Sequence, residues 1–207
     1  MKKLAMFGGT FNPVHNGHLH LVQGFREHLG LDRVLLIPSL VPPHKAAPDL
    51  ADAKDRLGMC RLAAQPYGLE VSDLELLREG PSYTVDTLRQ LHQANPDAEL
   101  YLLMGADMFL TLEHWYQSEE LFRLARMCAV PRDENGRGEL LAYAKHLESL
   151  GAKTHVEELS LLPISSTLVR EHIAQGLPIT GLVPKAVEEY ITEHHLYGGI
   201  SNGRETV

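Results

Sequence analysis

Gly8-Gly9-Thr10-Phe11-Asn12-Pro13-Val14-His15-Asn16-Gly17-His18 is the stretch on which the organisation of this chain turns. Ahead of it, Leu4-Ala5-Met6-Phe7 is a short apolar run, the pattern of a buried strand. Behind it, Leu21, Val22 and Phe25 recur at helical spacing. A glycine-rich turn from strand to helix leaves backbone N–H groups unpaired where the helix begins. With the helix dipole behind them, such groups make a seat for phosphate. Gly8, Gly9, Thr10 and Phe11 are therefore candidate phosphate contacts, and His15 and His18, three residues apart, project imidazoles into the same space. Competing readings fare worse. A metal pair lacks a third ligand at a familiar zinc spacing, and nothing matches H-E-x-x-H. Neither G-x-x-x-x-G-K-[ST] nor G-x-G-x-x-G occurs, which argues against a P-loop and against a bound redox dinucleotide.

Outward from this turn, strand-like and helix-like runs alternate. Strands are expected at 4–7, 33–37, 69–71, 100–104, 127–130 and 155–158, and helices near 18–29, 54–64, 83–95, 138–150, 166–175 and 184–195. The proline-rich stretch 38–48 reads as a loop. Alternation of this kind predicts an α/β fold: a single-domain, Rossmann-like, doubly wound parallel sheet with helices on both faces. In such a sheet ligands bind at the carboxyl ends of the strands, where the strand order reverses. The turn at 8–18, the loop after 37 and the segment Gly105-Ala106-Asp107 each follow a predicted strand. Their convergence on one sheet edge is the reason to treat them as one site.

Composition sets outer limits. A chain of 207 residues is long enough for one sizeable core. Its formal net charge of −8 disfavours nucleic acid as a partner, so any phosphate site must be locally basic. Cys60 and Cys128 are the only cysteines, and two packed thiols suit a reducing, cytoplasmic setting. No apolar run approaches membrane-spanning length, and Lys2-Lys3 is followed by too few apolar residues for a signal peptide.

The turn at 8–18 resembles the H-x-G-H signature of the nucleotidyltransferase superfamily, with His15 and His18 as its histidines. Near the other end, Ile164-Ser165-Ser166-Thr167-Leu168-Val169-Arg170 resembles that superfamily's I-S-S-T-x-x-R motif. Between them lie Val41-Pro42-Pro43-His44-Lys45, Pro81-Ser82-Tyr83-Thr84, Met104-Gly105-Ala106-Asp107 and Trp115-Tyr116. The combination is similar to the bacterial nicotinate-nucleotide adenylyltransferases over residues 1–197, the expected domain, leaving 198–207 as a flexible tail without counterpart.

That resemblance implies transfer of an adenylyl group from ATP to nicotinate mononucleotide, giving the dinucleotide and pyrophosphate. It implies His15, His18 and Arg170 as the catalytic set. ATP would be bound by Gly8, Gly9, Thr10, Phe11, Gly105, Asp107, Ile164, Ser165, Ser166 and Thr167 with that set. The nicotinate nucleotide would be bound by Thr10, Lys45, Tyr83, Thr84, Trp115, Tyr116 and Arg132. Mg²⁺ would travel with ATP, held by phosphate oxygens and water rather than by a protein cage. Each assignment has a plainer reading beside it. Ser-Ser-Thr is also an ordinary helix cap, a tryptophan between Leu112 and Leu121 is usually core, and Lys45 and Arg170 could be solvated surface. Two departures from the family pattern stand out: Asn12 where many relatives carry Asp, and an acidic segment after Arg132. A sibling enzyme using phosphopantetheine or nicotinamide mononucleotide is the alternative, and a nucleotide-sensing module the reading from another class. Whether the chain forms a homo-oligomer is left open.

Overall fold

The computed structural model describes residues 2–40, 50–78, 80–132 and 136–198. In chain order the elements are β1 (Lys2–Gly9), α1 (Asn16–Leu29), β2 (Arg33–Pro38), α2 (Ala53–Ala64), β3 (Glu70–Val71), α3 (Thr84–Ala94) and β4 (Ala98–Gly105). There follow α4 (Ala106–Phe109), α5 (Ser118–Leu124), β5 (Ala125–Val130), α6 (Arg137–Ser149), β6 (Lys153–Val156), α7 (Ser166–Ala174) and α8 (Lys185–Glu193). The strands form one parallel sheet in the order β3-β2-β1-β4-β5-β6. The chain starts in the middle, winds outward to β3, and returns to build the other half, so the order reverses between β1 and β4.

Side chains alternate across a strand, and the core divides accordingly. Ala5 and Phe7 of β1, Val34 and Leu36 of β2, and Tyr101 and Leu103 of β4 face one layer, with α1, α2, α7 and α8 packed on it. Leu4, Met6, Leu35, Ile37, Leu100 and Leu102 face the other, with α3, α5 and α6 above them. Strands buried on both faces need continuous apolar sequence, as 33–37 and 100–104 show. Helix α1 buries Leu21, Val22 and Phe25 and ends where Gly30 takes φ 60°, the left-handed conformation glycine adopts without a Cβ penalty.

The last strand was expected at 155–158 and lies at Lys153–Val156, two residues earlier. The charge in Lys153 hid its start; β6 is an edge strand paired only to β5, and edges carry charge readily. Helices α4 and α5 had no counterpart among the expected elements. Both are short, and Ser118-Glu119-Glu120 shows no helical apolar repeat. Cys60 and Cys128 are free and buried, in a helix and a strand as expected. No described helix is long and apolar enough to cross a membrane.

Candidate active site

The loop leaving β1 is gripped by the protein along its carbonyl side. The Gly9 carbonyl accepts from the Ser39 amide at 2.9 Å and the Thr10 carbonyl from Arg56 Nη1 at 2.7 Å. Asn12 O accepts from Arg170 Nη1 at 2.8 Å and Pro13 O from Ser166 Oγ at 2.8 Å. Phe11, between them, sits at φ 49°, a conformation that bulky residues adopt only where their surroundings insist on it. Its ring packs edge-on against Phe7 and His18, with centroids 5.7 and 5.1 Å away. Among the described residues the Thr10 and Phe11 amides meet no acceptor.

His15 and His18 close the first turn of α1 on each other. His15 is the N-cap, its Nδ1 accepting from the His18 amide at 3.3 Å, while His18 Nδ1 accepts from the His15 amide at 3.2 Å. The rings stack with centroids 3.5 Å apart. A backbone donor at each Nδ1 places the proton of each neutral ring on Nε2, so both rings offer an N–H to whatever lies beyond. Burial holds the His15 pKa down, to about 4, and His18 is also pushed well below the ordinary range, by burial first and by His15 second. Gly17, one of the two residues between them, leaves little room for a side chain: a Cβ there would lie 3.0 Å from His15 Nδ1 and 3.3 Å from the Ile164 carbonyl.

The helix start is less open than the sequence implied. The Asn16 amide donates to Leu182 O at 2.9 Å and the His18 amide is capped by His15, so among the first amides only that of Gly17 meets no acceptor. The donors at this helix start are thus chiefly the two imidazole Nε2–H groups rather than free helix amides. Helix α7 is different: Ser165 caps it by accepting the Leu168 amide at 3.1 Å, and the Ser166 and Thr167 amides meet no described acceptor. Arg170 also reaches Thr167 Oγ1 at 3.5 Å. The two motifs, far apart in sequence, are thus joined by Ser166–Pro13, Arg170–Asn12 and the Gly17–Ile164 approach.

A second cluster lies where β4 ends. Gly105 caps α4, Asp107 stands in its first turn rather than at the cap, and Asp107 forms an ion pair with Arg132. Tyr83, the N-cap of α3, meets Tyr116 with ring centroids 4.4 Å apart. Both rings are open to solvent, 39% and 51% exposed. Trp115 packs partly against the core, and its Nε1 donates to Thr111 Oγ1 at 3.0 Å. The Trp115 amide is bonded to Leu112 O at 3.1 Å. The amides of Thr84 and Tyr116 meet no described acceptor. Lys45 lies outside the described residues.

A cytidylyltransferase-like family model matches residues 6–172, which takes in both halves of the sheet. A protein of Synechococcus sp. (strain JA-3-3Ab) named as a probable nicotinate-nucleotide adenylyltransferase is 42% identical over 201 residues, 95% of each chain. One of that name from Bacillus pumilus (strain SAFR-032) is 38% identical over 95% of this chain and 99% of its own. The chain belongs to the nicotinate-nucleotide adenylyltransferase family. In fold it is similar to the Plasmodium falciparum nicotinic acid mononucleotide adenylyltransferase complexed with NaAD, with a TM-score of 0.77 at 17% identity over 95% and 98% of the two chains.

Within that family frame, two polar groups that sequence reasoning passed over stand next to the loop. Asn12, singled out only as a departure from Asp, accepts the Ala51 amide at its Oδ1 at 3.0 Å. Arg56, fully buried in α2, donates to four backbone carbonyls. A single arginine in a helix carries no sequence signal of its own. Only the residues within reach of its guanidinium show what it does.

Proposed function

We propose that the loop after β1, the histidine pair and the start of α7 hold ATP for the adenylyl transfer to nicotinate mononucleotide that characterises the family. The carrying observation is the meeting of two motifs beside the reversal of the strand order, which brings a pair of imidazoles, a guanidinium and unbonded backbone amides into one neighbourhood. The mononucleotide phosphate attacks the α-phosphorus in line with the departing pyrophosphate. A phosphate is already ionised near neutral pH and pyrophosphate leaves readily, so the task is to align two anions and to neutralise charge. His15 and His18 serve this as neutral Nε2–H donors. Arg170 offers its remaining guanidinium donors to the β- and γ-phosphates, with the Ser166 and Thr167 amides beside it.

No group of three or more His, Cys, Asp or Glu among the described residues is arranged to hold a metal. The donors present fit Mg²⁺ only as an ion carried by ATP, where it would offset charge on the leaving pyrophosphate. The pyridinium ring is flat and cationic and suits the Trp115 face, with Tyr83 and Tyr116 alongside. Its carboxylate finds donors in the Thr84 and Tyr116 amides. A nicotinamide would turn an NH₂ toward the same donors, so the nicotinate form is preferred.

Pyrophosphate release with ATP and, in turn, nicotinate mononucleotide, nicotinamide mononucleotide and phosphopantetheine tests the assignment. Fastest turnover with the nicotinate nucleotide is expected. Faster turnover with another acceptor would move the chain to a sibling activity, and nucleotide binding without release would make it a sensor. His18→Ala is expected to lower kcat by about a hundredfold or more, the order seen when one transition-state donor is lost. Near-normal turnover in that variant would remove the histidine from the mechanism.

A further inference from the structure

We propose that Arg56 is a positioning residue for this transfer: by holding the Thr10 carbonyl inward it aims the Phe11 amide at the ATP phosphates. The proposal rests on the adenylyl-transfer reading. The guanidinium is 0% exposed and spends four of its five N–H donors on backbone carbonyls. Nη1 reaches Thr10 O and Ser39 O, each at 2.7 Å, Nη2 reaches Leu40 O at 3.1 Å, and Nε reaches Ala51 O at 3.1 Å. It therefore joins the loops leaving β1 and β2 to the chain entering α2.

Planarity of the peptide group turns this clamp into a directional device. The N–H of a trans peptide points opposite to its C=O, so a Thr10 carbonyl drawn onto Arg56 sends the Phe11 N–H the other way. The Gly9 carbonyl, held by the Ser39 amide, does the same for the Thr10 N–H. Two successive amides without a described acceptor are then turned away from the groups that hold their carbonyls, in a loop whose Phe11 ring meets His18. Successive N–H groups aimed at one point form an anion-binding concavity.

Charge points the same way. No carboxylate among the described residues pairs with Arg56, although arginines this deeply buried are ordinarily paired. The groups that act on it electrostatically are Cys60 and Tyr197, and burial keeps both neutral: the thiol is pushed up to about 12 and the phenol is raised further. Neutral staples would hold a loop as well. A buried cation directly behind a phosphate loop gains its counter-charge when the nucleotide arrives.

The test is Arg56→Lys, which keeps the charge but cannot span all four carbonyls, and Arg56→Gln, which keeps donors and loses the charge. Ile191→Val, in the core on α8, is the control for general loss of stability. Steady-state kinetics are run well below each melting temperature. Binding of the nicotinate nucleotide alone is followed by fluorescence of Trp115, the only tryptophan in the chain. Expected is a fall in kcat/KM for ATP of about a hundredfold in Arg56→Lys and more in Arg56→Gln, the scale of losing an aligned backbone donor. Binding of the mononucleotide should stay within about threefold, and the control should keep its kcat/KM. If only one arginine variant folds, that variant decides. Arginine variants within about threefold of wild type for ATP, or a control that loses as much as they do, would overturn the role of Arg56 alone. A wild type that released no pyrophosphate would overturn the reaction and this proposal together.

Discussion

His15 and His18 show how much one residue's environment can decide. Each ring caps the other's backbone and is stacked on its neighbour, so a proton on Nδ1 would break a cap and place charge in a buried pair. Burial is the first cause of the lowered pKa at both rings. The consequence for stability has a definite sign. The unfolded chain takes up a proton on His15 below about pH 6.5, whereas the folded protein resists until about pH 4. Folded stability is therefore complete above pH 6.5 and falls as the pH drops through that window, by up to about 3 kcal/mol for His15. His18 adds in the same direction. His15→Asn keeps a strong N-cap without a titrating ring. Thermal melts from pH 7.5 to 4.5 should show a shallower decline in this variant than in wild type. Parallel curves would place the acid sensitivity elsewhere.

Among elements, α3 and the Trp115–Gln117 turn frame the proposed acceptor pocket. Arg89 on α3 pairs with Asp86 on its own helix and with Glu120 on α5, and also bonds Gln117. That network ties the helix carrying Tyr83 and Thr84 to the turn carrying Trp115 and Tyr116. Stacking on an indole does not distinguish a carboxylate from an amide at the ring's edge, whereas backbone donors such as the proposed pair, the amides of Thr84 and Tyr116, would. Trp115→Ala is thus expected to weaken nicotinate and nicotinamide nucleotides by similar factors, about tenfold, leaving their ratio of kcat/KM nearly intact. A variant that kept tight nicotinate binding would take Trp115 out of the pocket. One whose ratio collapsed would assign discrimination to the indole.

At the scale of the whole molecule, the site exists because the chain's two ends meet. Arg170 binds the Asn12 carbonyl across 158 residues, and Ser166 binds Pro13. The proposed phosphate site draws on both motifs. Arg170→Lys keeps the charge but not the fork that serves Asn12 and Thr167 while leaving donors for phosphate. Its kcat/KM for ATP should fall about a hundredfold or more with little change in melting temperature. Lost stability with intact kinetics would make the arginine a structural tie between the ends.

How far the primary structure could be read follows from the range of the forces involved. Periodicity and breakers are local, so the alternation of strands and helices, the turn at 8–18 and the serine cap of α7 were all legible along the chain. The short α4 and α5 were not, because their apolar repeats are too brief to register and their packing is supplied by distant elements. The same division runs through the site. The glycine-rich turn and its histidines pointed to phosphate chemistry by their pattern, the serines and Arg170 only through the family resemblance. The capture of the Asn16 amide by Leu182, the pairing of Asp107 with Arg132 and the four carbonyls around Arg56 depend on contacts between segments far apart in sequence. A hydrogen bond extends about 3 Å and says nothing about chain separation, so a partner chosen by folding leaves no mark in the neighbouring letters.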